Sequence, residues 1–212
     1  MYGHPLPPYG PPEPPLPGLL VRARRAAFVV LVMVGAMWFL LLANASGQLL
    51  RYGVSPRRLD ELPDILTAPF LHLNYTHLTG NSLPLLLLGF FTALRGLGRF
   101  LTVTLVVMVV SGLGVWLTAP PASITVGASG VVFGYFGYLV TRAVLDRRPG
   151  DAVVAGLVLA LYHGILWGVL PTDRGVSWQG HLFGLLGGVL AAWLFRRPPT
   201  ETGLPPVRPP LS

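Results

Sequence analysis

The sequence predicts an all-α membrane protein: a bundle of six transmembrane helices, with a first outer loop lying in the membrane interface. Three observations predict it. The chain is 52% hydrophobic and only 11% charged, whereas a soluble domain carries about a quarter charged residues. Six apolar runs, at about 26–43, 77–94, 100–118, 124–141, 152–170 and 178–195, each hold roughly 18–20 residues, enough to cross a ~30 Å hydrocarbon core. Arginines collect at alternate ends of those runs, and no Asp, Glu or Arg lies inside any of them, as expected where lipid penalises buried charge.

Residues 1–25 read as a disordered, Pro-rich cytoplasmic tail, since Pro with Gly and Tyr builds neither a helix nor a core. Arg22, Arg24 and Arg25 follow the Pro-rich stretch, the wrong order for a signal peptide. Residues 26–197 are expected to form the six-span domain, and 198–212 a second disordered Pro-rich tail. The first run, 26–43, leads into the outer loop 45–71. This loop mixes Arg51, Arg57 and Arg58 with Asp60, Glu61 and Asp64 along amphipathic stretches, so it is read as a structured interfacial segment.

The second run opens with His77 and Asn81 and carries Pro84, yet Leu83 to Leu94 is strongly apolar. The fourth holds Gly127-Ala128-Ser129-Gly130, then Gly134 and Gly137. The fifth contains His163 without polar companions, which reads as a packed or interfacial histidine. The sixth carries His181, Gly184 and Gly188. Trp38, Trp116, Trp167, Trp178 and Trp193 mostly fall near span ends, where they anchor to the interface.

Charge orients the bundle. The formal net charge is +7, and every basic residue is Arg. The groups Arg22/24/25, Arg95/99, Arg142/147/148 and Arg196/197 fall on one side of six spans. That side is expected to be cytoplasmic, with both termini there, in a multi-pass protein of the cell membrane. Arginines at the ends of apolar runs point to a lipid bilayer and not to nucleic acid. There is no Cys, which excludes disulfides, thiol nucleophiles and cysteine metal sites.

With six spans, the second, fourth and sixth all run from outside to inside. Their polar residues then meet near the outer face, with Ser129 and His181 each roughly 10 Å inside. Ser129 supplies a nucleophile, His181 a base, and His77 with Asn81, four apart on one helix face, two candidate oxyanion donors. His181, Gly184 and Gly188 share a face, and Gly184-xxx-Gly188 lets another helix come close. His72 lies five before His77, about 140° away around a helix if the second span began that early. An i, i+5 pair is a poor metal site. No metal and no cofactor are expected.

The set His72-x4-His77-x3-Asn81, Gly127-Ala128-Ser129-Gly130 and His181-x2-Gly184-x3-Gly188 resembles the rhomboid family of intramembrane serine proteases, over roughly residues 60–195. The resemblance implies Ser129 as nucleophile and His181 as general base. It also implies His77, Asn81 and the Ser129 N–H as oxyanion stabilisers, and a structural His72. Three positions depart from the family pattern. Pro63-Asp64 stands where many members have Trp-Arg. Phe133 stands where Tyr is frequent, and can still stack on His181. Pro84 removes a hydrogen bond to the Gly80 carbonyl, so a kink there would shift His77 and Asn81.

The expected reaction is peptide-bond hydrolysis through an acyl-enzyme. No carboxylate lies in the spans, so a Ser129–His181 dyad is expected, with Phe133 and the Gly184 face holding the imidazole. The partners are transmembrane protein substrates, unwound near the outer leaflet because a helix hides its peptide bonds. Two other classes compete. A small-solute transporter would place carboxylates along a mid-membrane path, and none is present. A non-catalytic membrane-protein-binding relative would tolerate loss of Ser129 or His181, and both are kept.

Overall fold

The computed structural model describes residues 16–172 and 175–196. Six α-helices make up the domain: α1 (Leu16–Ala43), α2 (Tyr75–Ala93), α3 (Leu97–Thr118), α4 (Ser129–Asp146), α5 (Pro149–Tyr162) and α6 (Trp178–Leu194). Short 3-10 turns lie at Gln48–Tyr52, Leu62–Leu66, Ala68–Phe70 and His163–Val169. By length and composition, Gly18–Ala43, Leu97–Thr118 and Pro149–Val169 can cross a membrane. The helices α2, α4 and α6 are shorter, at 19, 18 and 17 residues, and carry the polar set.

The helix limits differ from the sequence expectation at four places, each for a local reason. The first helix starts at Leu16, not 26, with Pro17 in its first turn, where a fixed φ and a missing N–H do no harm. Arg22, Arg24 and Arg25 are therefore helical and not part of a tail. Next, α2 starts at Tyr75 because the Asn74 side chain accepts the His77 N–H at 2.9 Å. His72 thus stands ahead of the helix. Third, α4 starts at Ser129, not 124. Thr125 is drawn out of helical geometry by a two-way backbone bridge to Val54, with N–O distances of 2.9 and 3.0 Å. Last, α5 ends at Tyr162 and the chain goes on as the His163–Val169 turn. Residues 1–15, the 198–212 tail, Asp173-Arg174 and Arg197 lie outside the described residues.

The tightest packing joins α4 to α6, glycine against backbone. A Cβ on Gly184 would collide with the Gly130 carbonyl, one on Gly188 with the Gly134 carbonyl, and one on Gly137 would come within 2.6 Å of the Leu185 oxygen. Helix α3 closes over this seam. Ser111 donates to the Gly180 carbonyl at 2.8 Å, and Gly187 lies against Val107 and Val110. Helix α1 lies on α2, where Trp38 Nε1 donates to Ser82 at 3.1 Å. Pro84 lies inside an unbroken α2.

The 45–71 segment is ordered and tied down. Arg57, at φ 64°, donates to the carbonyls of Leu117 (3.1 Å) and Ala119 (2.8 Å), capping the negative end of α3. Trp116 Nε1 donates to the Arg58 carbonyl at 3.1 Å, and Ile65 fills the space over Gly112. Pro63-Asp64 sits in the Leu62–Leu66 turn, with Pro63 at its start.

At the opposite end of the bundle, charges are buried together. Arg142 and Asp151 are 2% and 3% exposed. Arg142 pairs with Asp146, donates to the Tyr138 hydroxyl at 3.1 Å, and has its Nε 3.8 Å from Asp151. Arg95 pairs with Asp151 as well. Arg95 and Arg142 are therefore not free flanking charges, as the sequence reading counted them. They are neutralised partners in a cluster joining the ends of α2 and α4 to the start of α5.

Candidate active site

A cavity of about 800 Å³ opens where α2, α4 and α6 begin, and His77, Asn81, Ser129 and His181 all line it. Each residue arrives by a different local device. Ser129 is the first residue of α4, so its N–H and that of Gly130 precede the first backbone bond of the helix, made by Val131 to Ala128. They are the unpaired donors that every helix start leaves, and the positive end of the dipole adds to them. The turn before Ser129 needs Gly127, which sits at φ 122°. A side chain there would also meet the His77 ring at 2.5 Å.

His72 holds this turn from behind. Its Nε2 accepts the Ala128 N–H at 3.3 Å, while Gly127 N–H goes to the Ala68 carbonyl at 3.0 Å. The His72 and His77 rings meet edge to face, 5.0 Å between centroids. Burial, and next the neighbouring His77, lower the His72 pKa to about 4. A neutral imidazole is what an acceptor at Nε2 requires. The contact is made from a loop and not from the helix face on which the spacing was counted.

Asn81 is 6% exposed, and its Nδ2 donates to the His77 carbonyl one turn back at 3.1 Å. One amide hydrogen remains for the cavity. His181 lies in the first turn of α6, whose start is set by Ser177 accepting the Gly180 N–H at 3.2 Å. Its ring stacks on Phe133 with centroids 4.1 Å apart and planes 10° from parallel. The expected stack therefore forms without a tyrosine hydroxyl. The structure adds a contact that sequence reasoning missed: His181 Nδ1 is 2.9 Å from the Gly168 carbonyl. No side-chain pattern announces a backbone acceptor, and a glycine thirteen residues earlier was its only trace.

His163 stays apart: its Nδ1 lies 3.1 Å from the Leu159 carbonyl in the last turn of α5. Among the described residues, no three His, Asp or Glu side chains gather in a way that could hold a metal ion. The site therefore offers a hydroxyl and an imidazole lining one cavity, together with amide, imidazole and backbone N–H groups. That inventory suits acyl transfer.

Residues 59–198 match the family described as Rhomboid domain, a stretch that contains every site residue above. An uncharacterized protein of Mycobacterium tuberculosis is 41% identical over 154 residues, covering 69% of this chain and 64% of that protein. The putative rhomboid protease YdcA of Bacillus subtilis is 32% identical over 134 residues, covering 61% of this chain and 65% of that protein. The rhomboid protease GluP of the same species is 32% identical over 136 residues, or 60% of this chain and 25% of that protein. The chain thus spans just under two thirds of the length of its mycobacterial relative.

Proposed function

The chain belongs to the rhomboid family, and from that premise we propose that this multi-pass membrane protein is an intramembrane serine endopeptidase. The observation that carries the reading is the single cavity wall shared by Ser129, His181, His77 and Asn81. In the proposed reaction, the Ser129 hydroxyl attacks a peptide carbonyl while His181 takes its proton. His77, Asn81 and the Ser129 N–H stabilise the oxyanion. His181 then returns the proton to the leaving amine, and water cleaves the acyl-enzyme by the reverse route. The substrates are transmembrane segments of other proteins, unwound locally so that a peptide bond can reach the cavity. Six spans across the cell membrane, both termini cytoplasmic and the cavity toward the outer leaflet complete the proposal.

The test is cleavage of a labelled transmembrane substrate by the purified protein, beside Ser129→Ala and His181→Ala. Each variant is expected to purify and melt like wild type and to lose roughly 10⁴-fold or more in kcat. Wild-type rates from a well-folded Ser129→Ala would refute the dyad. Substrate capture without cleavage by wild type would leave the non-catalytic relative as the reading.

A further inference from the structure

We propose that the backbone carbonyl of Gly168 is the positioning group for His181, fixing the imidazole with its proton on Nδ1 and its free lone pair on Nε2. The inference rests on the peptidase reading and concerns how that site is held.

The chemistry of the contact decides the tautomer. A carbonyl oxygen can only accept, and His181 Nδ1 lies 2.9 Å from it, so Nδ1 must carry the hydrogen. A neutral imidazole has one N–H and one lone pair. Nε2 is therefore the basic nitrogen, as a general base for Ser129 requires. In a Ser-His-Asp triad the carboxylate does this work, and the wrong tautomer is what makes its loss so costly.

Among the described residues, no carboxylate lines this cavity. Among the described residues, the acidic side chains are Asp60, Glu61 and Asp64 in the 45–71 segment and Asp146 and Asp151 at the far end of the bundle. None of them lines the cavity.

The Gly168 carbonyl is free to serve because of where it lies. It is next to last in the His163–Val169 turn, and a helical segment leaves its last carbonyls unpaired. The chain beyond pairs elsewhere: Leu170 N–H goes to the Trp167 carbonyl and Thr172 N–H to Leu170. His181 satisfies the leftover acceptor. The approach also requires glycine. A Cβ at Gly168 would stand 2.9 Å from His181 Nδ1 and 3.0 Å from Phe133 Cζ. The stack on Phe133 fixes the ring plane, and the carbonyl fixes the rotation within it. The plane of the base thus comes from Phe133 on α4, and its rotation within that plane from the connection between α5 and α6.

The test is nitrogen-15 NMR of the full-length protein labelled at histidine and reconstituted in lipid, with the His181 signals identified by their absence in His181→Gln. The expected result is a protonated Nδ1 and an unprotonated Nε2 in the resting protein. Gly168→Ala should lower kcat roughly tenfold to a hundredfold with KM nearly unchanged, as a small misplacement of a catalytic group does, and should shift or broaden the Nδ1 signal. Gly164→Ala is the control, since nothing lies within 4 Å of that position in the same turn; it should change neither readout. A protonated Nε2 in wild type overturns the proposal, and so does a Gly168→Ala protein with wild-type kcat and an unshifted Nδ1. Should Gly168→Ala not fold, the wild-type tautomer still decides. A protein that shows the Nδ1 proton and cleaves nothing would refute the peptidase reading while leaving this contact intact.

Discussion

Helices α6 and α5 both pack on α4, yet they are held in opposite ways. Along α6 the contact is backbone on backbone, with Gly184 on Gly130 and Gly188 on Gly134. Along α5 a charged contact marks the start, where Asp151 meets Arg142 of α4 and Arg95, and Ala155 and Val158 are buried further along. Only 11% of the 18-residue apolar window within Pro149–Val169 is buried. The difference teaches how a helix picks a neighbour in lipid. Lipid is as apolar as leucine, so apolarity cannot choose a partner. Close approach through small residues can, and so can a charge that has no other refuge. The proposed nucleophile and base, Ser129 and His181, lie at the open end of the glycine seam. The carbonyl that meets His181 comes from the His163–Val169 turn that follows the loosely held α5.

The largest effect should come from cutting the charged attachment. Asp151→Ala removes the partner of part-buried Arg95 and one of the two carboxylates beside buried Arg142, which keeps Asp146; breaking a buried pair costs up to about 3–5 kcal/mol. Thermal unfolding in detergent should show it as a clear fall in Tm. The seam is untouched, so folded molecules are expected to keep cleaving. An unchanged Tm would mean that α5 is held by something other than these charges.

Next come the donors at the seam's open end. His77→Ala or Asn81→Ala should each lower kcat by up to around 10²–10³ with little change in KM. The remaining donors partly cover for one another, so the double variant should lose far more. Steady-state kinetics beside melting curves will tell loss of rate from loss of fold. Full kcat in the double variant would remove both residues from the oxyanion site.

A smaller contrast tests the seam itself. Gly188→Ala forces a methyl into the Gly134 carbonyl and is expected to cost roughly 1–3 kcal/mol. Gly156→Ala on α5 meets nothing within 4 Å and should be neutral or stabilise by up to about 1 kcal/mol, through helix propensity. Equal effects on Tm would mean that the two interfaces are not different in kind.

The smallest effect is a pH dependence at the site end. His72 is held to about 4 by burial, while an unfolded histidine titrates near 6.5. As pH falls, the unfolded chain takes the proton first. Stability is therefore whole above about 6.5 and declines toward pH 4. The Tm of wild type should fall across that window, and His72→Gln should flatten the fall. A parallel decline in both proteins would assign it to other groups.

Much of this was legible in residue order. The apolar runs marked all six helices, and the spacing of Gly184 and Gly188 marked the face that meets α4. His77, Asn81, Ser129 and His181 stood out as polar groups in apolar runs, and all four line one cavity. Other features were not legible. Ile124-Thr125-Val126 looks like more of the fourth apolar run, and nothing local says that Val54, some seventy residues earlier, draws Thr125 out of the helix. Arg142 reads as one more flanking charge until Asp151 and Tyr138 enclose it.

By itself, then, the sequence determined what depends on side-chain type and spacing: an all-helical membrane class, the closely packed faces, and which residues carry a hydroxyl, an imidazole or an amide. Tertiary structure decided which backbone groups those side chains meet. The Ala128 N–H reaching His72 and the Gly168 carbonyl reaching His181 belong to every residue alike, since each peptide unit bears the same donor and acceptor. Only folding, by leaving one unpaired at a helix or turn end beside a particular ring, gives such a group its partner.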